Sequence, residues 1–287
     1  MRRIVIILVL SWASAFSLRG QGTVTFALEK EGGDPVKALS VPLDGGRIAT
    51  VAVVGTDPGK AASEAGEELK LVGHDPVTRL TILQLPNSGA KAAPRGSALG
   101  LLVGDAVYLP KQKRASRVVR WENTFRGKVL PVALIRIHHP ADKPPLPGTP
   151  LMNAEGEVVA ICHEAVPKFG NGTFALPVEV VDRMEYDLRT SGRVTPCWIG
   201  VTVNAASAVL SVQMVRLKSP GHEAGVRKGD ILLSVGPRRV STYAEARDAF
   251  YYMVVGKATS LTLLRGTQRL NLKVIPTVNP AYVIEEE

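Results

Sequence analysis

The chain has 287 residues, 45% hydrophobic and 21% charged, with 27 Gly and 20 Pro, a balance that excludes disordered and fibrous chains and gives enough length for two modest cores. Aromatic residues make up only 5% while Val, Leu and Ile are plentiful, so the core is aliphatic and β-branched and strands are favoured over an all-helical fold. The formal charge of +9 is dispersed and not interleaved with aromatics, so no nucleic-acid partner is expected.

Arg2 and Arg3 precede an apolar run from Ile4 to Phe16, and Ala13-Ser14-Ala15 supplies the small-residue pattern that signal peptidase accepts. Residues 1–15 therefore read as a secretory signal cut after Ala15. The run is shorter than the roughly 20 residues that span a bilayer, so no stable membrane span is expected and the mature chain is placed outside the cytoplasm, in the periplasm or cell envelope.

From Thr23 to Ile161 short apolar stretches alternate with Gly, Pro and Asp turns: Val51 to Val54, Leu80 to Leu83, Ala106 to Leu109, Val132 to Ile135 and Val158 to Ile161. Regular short strands of this kind predict a barrel or a sandwich. Val178, Val181, Met184 and Leu188 then lie at helical spacing and predict a helix that closes this domain. Ser191-Gly192-Arg193 reads as its stop and as a linker. A second, smaller block follows, with strands predicted over Val209 to Val215, Ile231 to Val235 and Ser260 to Leu264, and a helix from Tyr243 to Met253. The division is 16–190 for the first domain, 191–279 for the second and 280–287 for an acidic tail.

Cys162 and Cys197 are the two cysteines, too few for a disulfide scaffold and not in a C-x-x-C spacing, so neither a metal site nor a cofactor is expected. They read as two unpaired, partly buried thiols; a single bridge in an oxidising compartment is the alternative.

Ser219-Pro220-Gly221-His222-Glu223-Ala224-Gly225-Val226-Arg227-Lys228-Gly229-Asp230-Ile231-Leu232 resembles the corresponding segment of a bacterial-type PDZ domain, and that resemblance extends from Trp198 to about Thr277. In the first block, Gly46 to Thr50, Leu69 to Thr78, Gly148 to Val159 and Phe174 to Pro177 follow one another in the order found in HtrA/Deg-type trypsin-like serine proteases. The resemblance implies a mainly β chain: a trypsin-like double β-barrel followed by a small α+β PDZ domain.

It also implies where the chemistry of such an enzyme should lie. The histidine position falls on Val53, the aspartate position on Arg79 and the serine position on Pro147. Valine cannot take a proton, arginine cannot steady an imidazolium and proline has no hydroxyl. The oxyanion donors of the family would be the N–H groups of residues 147 and 145, and both are proline, which has none. The remaining candidates, His74, His163, His138, His139, Thr149, Ser97 and Ser116, fall into no nucleophile–base motif; His138 and His139 read as a surface pair, Ser97 and Ser116 as loop residues.

Trp198-Ile199-Gly200-Val201 resembles the loop by which PDZ domains hold a peptide's terminal carboxylate through converging N–H groups, with Val201, Thr202 and Val203 as the strand edge to which the peptide adds. The helix from Tyr243 would form the opposite wall, although Ala246, Ala249 and Phe250 read first as core. The resemblance thus implies an exported, catalytically inactive HtrA-like protein that binds extended peptides or protein C-termini, as a homo-oligomer, a trimer in that family, or together with an active HtrA-type homologue. Two alternatives stay open: an active serine endopeptidase with a non-standard site, and a regulatory subunit of an active HtrA-type protease.

Overall fold

The structure is a computed structural model and describes residues 22–29, 33–86, 91–112, 114–125, 127–140, 144–165, 172–207 and 209–280. The signal expected at 1–15 and nearly all of the acidic tail lie outside the described residues.

The short apolar runs of the first block, bounded by Gly, Pro and Asp turns, form its strands. Strands β1 (Thr23–Leu28), β2 (Val36–Leu39), β3 (Val41–Pro42), β4 (Arg47–Val51), β5 (Thr56–Ser63), β6 (Glu68–His74) and β7 (Leu80–Gln84) form one sheet in the order β2-β1-β5-β6-β7-β4-β3. Its inward residues Val24, Phe26, Ile48, Leu69 and Leu83 make one buried core. Strands β8 (Ala106–Val107), β9 (Ser116–Phe125), β10 (Lys128–His138), β11 (Pro150–Met152), β12 (Val158–Ala165) and β13 (Gly172–Pro177) form a second sheet, β11-β12-β13-β10-β9-β8, round a core of Val107, Val118, Ile135, Leu151 and Val159. Between the two sheets a third cluster joins Val51, Leu80 and Ile82 to Met152, Ile161 and Leu176. Helix α1 (Glu179–Ser191) seals it with Val180, Val181 and Met184, and stops at Gly192 in the left-handed conformation, whose N–H returns to Leu188 O.

The second block comprises β14 (Cys197–Trp198), β15 (Val201–Val203), β16 (Val212–Val215), α2 (Pro220–Glu223), β17 (Ile231–Val235), β18 (Arg238–Arg239), α3 (Tyr243–Tyr251), β19 (Thr259–Arg265), β20 (Gln268–Val274) and β21 (Thr277–Val278). Its core gathers Ile199, Val212, Leu232, Ala246, Ala249, Leu261 and Leu263. Thr242 and Glu245 start α3 with a reciprocal capping box. Among the described residues no helix is long and apolar enough to cross a membrane.

The two blocks are bolted together through α3. The backbone N–H of Ala133 donates to Asp248 Oδ1 at 2.7 Å, the Tyr251 hydroxyl donates to Asp75 Oδ2, and the Arg183 guanidinium stacks 4.3 Å from the Tyr251 ring centroid. Asp75 is 2% exposed and Asp248 8%, so these bonds form in a setting where an unmet carboxylate oxygen would be costly.

Four expectations are corrected. The apolar run at Val51 to Val54 is strand only as far as Val51, where β4 stops pairing with β7. Strand β16 starts at Val212, not Val209, although Ser211 bridges to Ile231. Ser116 opens β9 and is fully buried. His138 and His139 point to opposite sides, but only His138 is exposed and His139 is wholly buried. Cys162 is buried and Cys197 half-buried, both as free thiols.

Candidate functional site

The junction of the two sheets brings together the segments that carry Val53, Arg79 and Pro147. Arg79 sits in the turn between β6 and β7, at φ 60°. That turn is built on Asp75: Oδ1 accepts from Val77 N–H at 2.9 Å, Oδ2 from the Thr78 hydroxyl at 2.8 Å, and the Asp75 carbonyl from Arg79 N–H at 2.7 Å. So held, the guanidinium reaches across to the chain leaving β4. Its Nε donates to Ala52 O at 2.7 Å and its Nη2 to Val53 O at 2.6 Å, while Ala52 N–H donates back to Arg79 O at 3.1 Å. These charge-assisted bonds pin the Val53 backbone and spend the cation on main-chain carbonyls.

Pro147 approaches the same junction from the loop before β11. Its carbonyl accepts from Leu39 N–H at 2.8 Å, and Leu39 O accepts from the Thr50 hydroxyl, three residues before Val53, at 2.7 Å. The next residue, Gly148, has φ +79°, and a Cβ there would stand 1.8 Å from Leu39 O and 2.8 Å from Thr50 Oγ1. Only glycine fits this turn, so the loop is seated hard against β2 and β4. Neither Pro147 nor Pro145 offers an N–H to a developing oxyanion.

Of the other hydroxyl candidates, Ser116 is wholly buried and Ser97 and Thr149 are engaged elsewhere. The Ser97 hydroxyl donates to Glu179 Oε1 at 2.6 Å and the Thr149 hydroxyl to Leu146 O at 2.6 Å. His74 Nδ1 meets the Thr81 hydroxyl at 2.9 Å, a hydroxyl–imidazole pair that sequence reasoning did not foresee. Thr81, however, is completely buried within β7, and no substrate carbonyl can reach its oxygen. Burial, reinforced by the Arg79 charge, holds His74 below its ordinary value. Burial does the same to His163, whose Nδ1 is buried without a hydrogen-bond partner. Burial raises both thiols, Cys197 to about 11, so neither is a ready thiolate at neutral pH.

In the second block the geometry of the Trp198 to Val203 segment is well defined. Gly200 has φ +70°, and a Cβ on it would lie 2.2 Å from Ser219 Cβ and 2.5 Å from Ser219 Oγ. Ser219 is itself fixed as the N-cap of α2, its hydroxyl accepting from His222 N–H at 3.2 Å. On either side of Gly200, Ile199 O accepts from Gly221 N–H and Gly200 O from Arg216 N–H, each at 2.8 Å. The carbonyls are thereby turned inward, and the N–H groups of Ile199 and Gly200 donate to no backbone carbonyl among the described residues. Arg216 also places its guanidinium 6.0 Å from the Trp198 ring centroid. Strand β15 pairs only with β16 among the described strands, Val201 opposite Val215 and Thr202 opposite Met214. Its other edge meets no strand among the described residues. Ala246 and Ala249 are core residues, 0% and 2% exposed, while Tyr243, Phe250 and Val201 border that core at the surface.

Two sheets each wrapped on its own core, joined by one helix to a domain with a glycine-turned loop and an open strand edge, define the class: a trypsin-fold double barrel followed by a PDZ domain. The PDZ domain family matches residues 197–275. A Pseudomonas putida protein described as "Probable periplasmic serine endoprotease DegP-like" is 26% identical over 229 residues, covering 72% of this chain and 47% of that protein. A protein of the same description from Ectopseudomonas mendocina is 27% identical over 229 residues, with 72% and 48% covered. The chain thus spans about half the length of these curated relatives. The solved structure of the HtrA-type protease AlgW with a tripeptide superimposes with a TM-score of 0.62 at 20% identity, over 93% of this chain and 96% of that one. The fold is therefore that of HtrA-type proteases.

Proposed function

We propose that this chain is an exported HtrA-like protein of the periplasm or cell envelope that has no peptidase activity and binds extended peptides or protein C-termini through its PDZ domain. The observation that carries the first half is Arg79. In place of a carboxylate facing an imidazole, a guanidinium faces two carbonyls, and the residue whose backbone it grips is Val53. The polarity of the junction is inverted, and Pro147 supplies no attacking atom in the loop opposite. The second half is supported by the loop geometry at Gly200, by the free edge of β15 and by the cation of Arg216 beside Trp198, which together suit a terminal carboxylate and an extended chain. Ile199 and Val201 favour an apolar last residue. The periplasmic description of the relatives supports the location.

The reading includes assembly with copies of itself or with an active HtrA-type homologue, the latter as a regulatory subunit. Calorimetric titration of the full chain with C-terminal peptides ending in Val, Leu or Phe tests the binding half. Saturable binding that is lost on amidation of the terminus is the expected result. No binding at millimolar peptide with the PDZ domain folded removes the recruiting role.

A further inference from the structure

A cleft of about 710 Å³ lies between the barrel and the PDZ domain, beside the turn that joins β6 to β7. Val77 and Pro131 line it from the barrel, Phe250 and Val278 from the PDZ domain, and the interdomain chain passes along it from Arg193 to Cys197. Val77 is 50% exposed, so the barrel wall offers bare apolar surface. The charge around the cleft is one-sided. Arg183, Arg193 and Arg247 line it with His74, against the single carboxylate of Asp75. That carboxylate already accepts from Val77, Thr78 and Tyr251. Arg193 and Arg247 are exposed.

The chain itself leaves from the edge of this cleft. Val278 lines it, and the next residue, Asn279, donates its N–H to Pro196 O at 3.4 Å. Ala281-Tyr282-Val283-Ile284-Glu285-Glu286-Glu287 follow after Pro280, three large apolar residues and then three carboxylates. Seven extended residues reach about 23–25 Å, enough to cross a cleft of this volume. We propose that residues 281–287 dock in this cleft of their own chain, with Tyr282, Val283 and Ile284 against its apolar walls and Glu285 to Glu287 toward Arg193 and Arg247. The segment then acts as a strap that closes the PDZ domain onto the barrel. Exposed ion pairs alone hold little; burial of the apolar residues holds the strap, and the charges fix its direction. Cys197 lines the same cleft and is half-buried, so a docked strap shields its thiol.

The test follows alkylation of Cys197 by neutral iodoacetamide at alkaline pH in the full chain, read by peptide mass. Cys162, 1% exposed, serves as the internal control. Ile284→Asp, and separately Arg193→Glu with Arg247→Glu, should each speed the reaction several-fold. Both changes add negative charge, which by itself raises a thiol's pKa and slows alkylation, so acceleration reports the uncovering of the cleft. Adding Glu285→Lys, Glu286→Lys and Glu287→Lys to the arginine pair should return the rate to that of the parent. In a second measurement, photoreactive benzoylphenylalanine in place of Tyr282 should crosslink to the segments Arg193 to Cys197 or Arg247 to Tyr251 of the same chain. Unchanged alkylation in both the Ile284 and the arginine variants overturns the proposal. So do crosslinks that join two copies of the chain, or that fall on Val201 to Val203 in the PDZ groove.

Discussion

Replacing Gly200 by alanine is the smallest change that separates the loop geometry from the rest of the PDZ domain. The backbone there is left-handed at φ +70°, and the added methyl would meet Ser219 Cβ at 2.2 Å, Ser219 Oγ at 2.5 Å and Trp198 Cζ2 at 3.0 Å. Holding a non-glycine residue in that conformation costs about 1–2 kcal/mol. Displacing Ser219 weakens the N-cap of α2, worth about 1 kcal/mol. The sum, about 2–3 kcal/mol, has two outlets. Either the PDZ domain keeps the loop and loses that much stability, or the loop relaxes, its N–H groups turn away and peptide affinity drops about 30- to 150-fold. Calorimetric titration with a C-terminal peptide, paired with chemical denaturation of the same preparation, reads both outlets. A variant unchanged in affinity and within about 0.5 kcal/mol of the parent in stability refutes the argument that this loop is built round a glycine.

Arg79→Ala removes both bonds to the Ala52 and Val53 carbonyls and should cost about 3 kcal/mol of barrel stability, measured by denaturant unfolding; a loss near zero would mean that the guanidinium does not brace the junction. Tyr251→Phe deletes the interdomain bond to Asp75 and should cost about 1–2 kcal/mol and separate the unfolding of the PDZ domain from that of the barrel, seen as two calorimetric transitions where the parent shows one. Asp230 is 1% exposed and held by Arg265 at 2.7 and 2.9 Å. Burial alone would raise its carboxyl, but the Arg265 and Arg227 bonds outweigh it and the value lies below the ordinary one. A carboxyl depressed on folding contributes stability that is complete above the unfolded value of about 3.9 and is lost as pH falls through the folded value. Thermal melts from about pH 5 downward should therefore show a steeper acid decline in the parent than in Asp230→Asn; parallel curves would count against it.

Much of this architecture is written locally in the chain. Short apolar runs bounded by Gly, Pro and Asp turns are enough to place β7, β10, β12, β17 and β19, although β7 and β12 are buried on both faces. The stripe at Val181, Met184 and Leu188 locates α1 by its helical spacing. What the sequence hides is set by residues far apart. Nothing in Val51 to Val54 says that the strand ends at Val51; beyond it the Val53 carbonyl is taken by the N–H and hydroxyl of Thr56 and by Arg79, 26 residues on. Tyr251 and Asp75 are separated by 176 positions, and no local pattern announces their bond. The burial of His139 and the pairing of His74 with Thr81 likewise depend on which face of a strand the opposite sheet covers. The PDZ loop was legible in Gly200, since a glycine flanked by apolar residues ahead of a strand marks a close backbone approach.

The most direct test of the pseudoenzyme reading is to incubate the full chain with casein and, separately, with a serine-reactive fluorophosphonate, following fragments by electrophoresis and adducts by intact mass. The account predicts intact casein and an unmodified chain at any ratio at which an active HtrA-type protease is fully labelled. Casein cleavage accompanied by a single phosphonate adduct on one hydroxyl would contradict it.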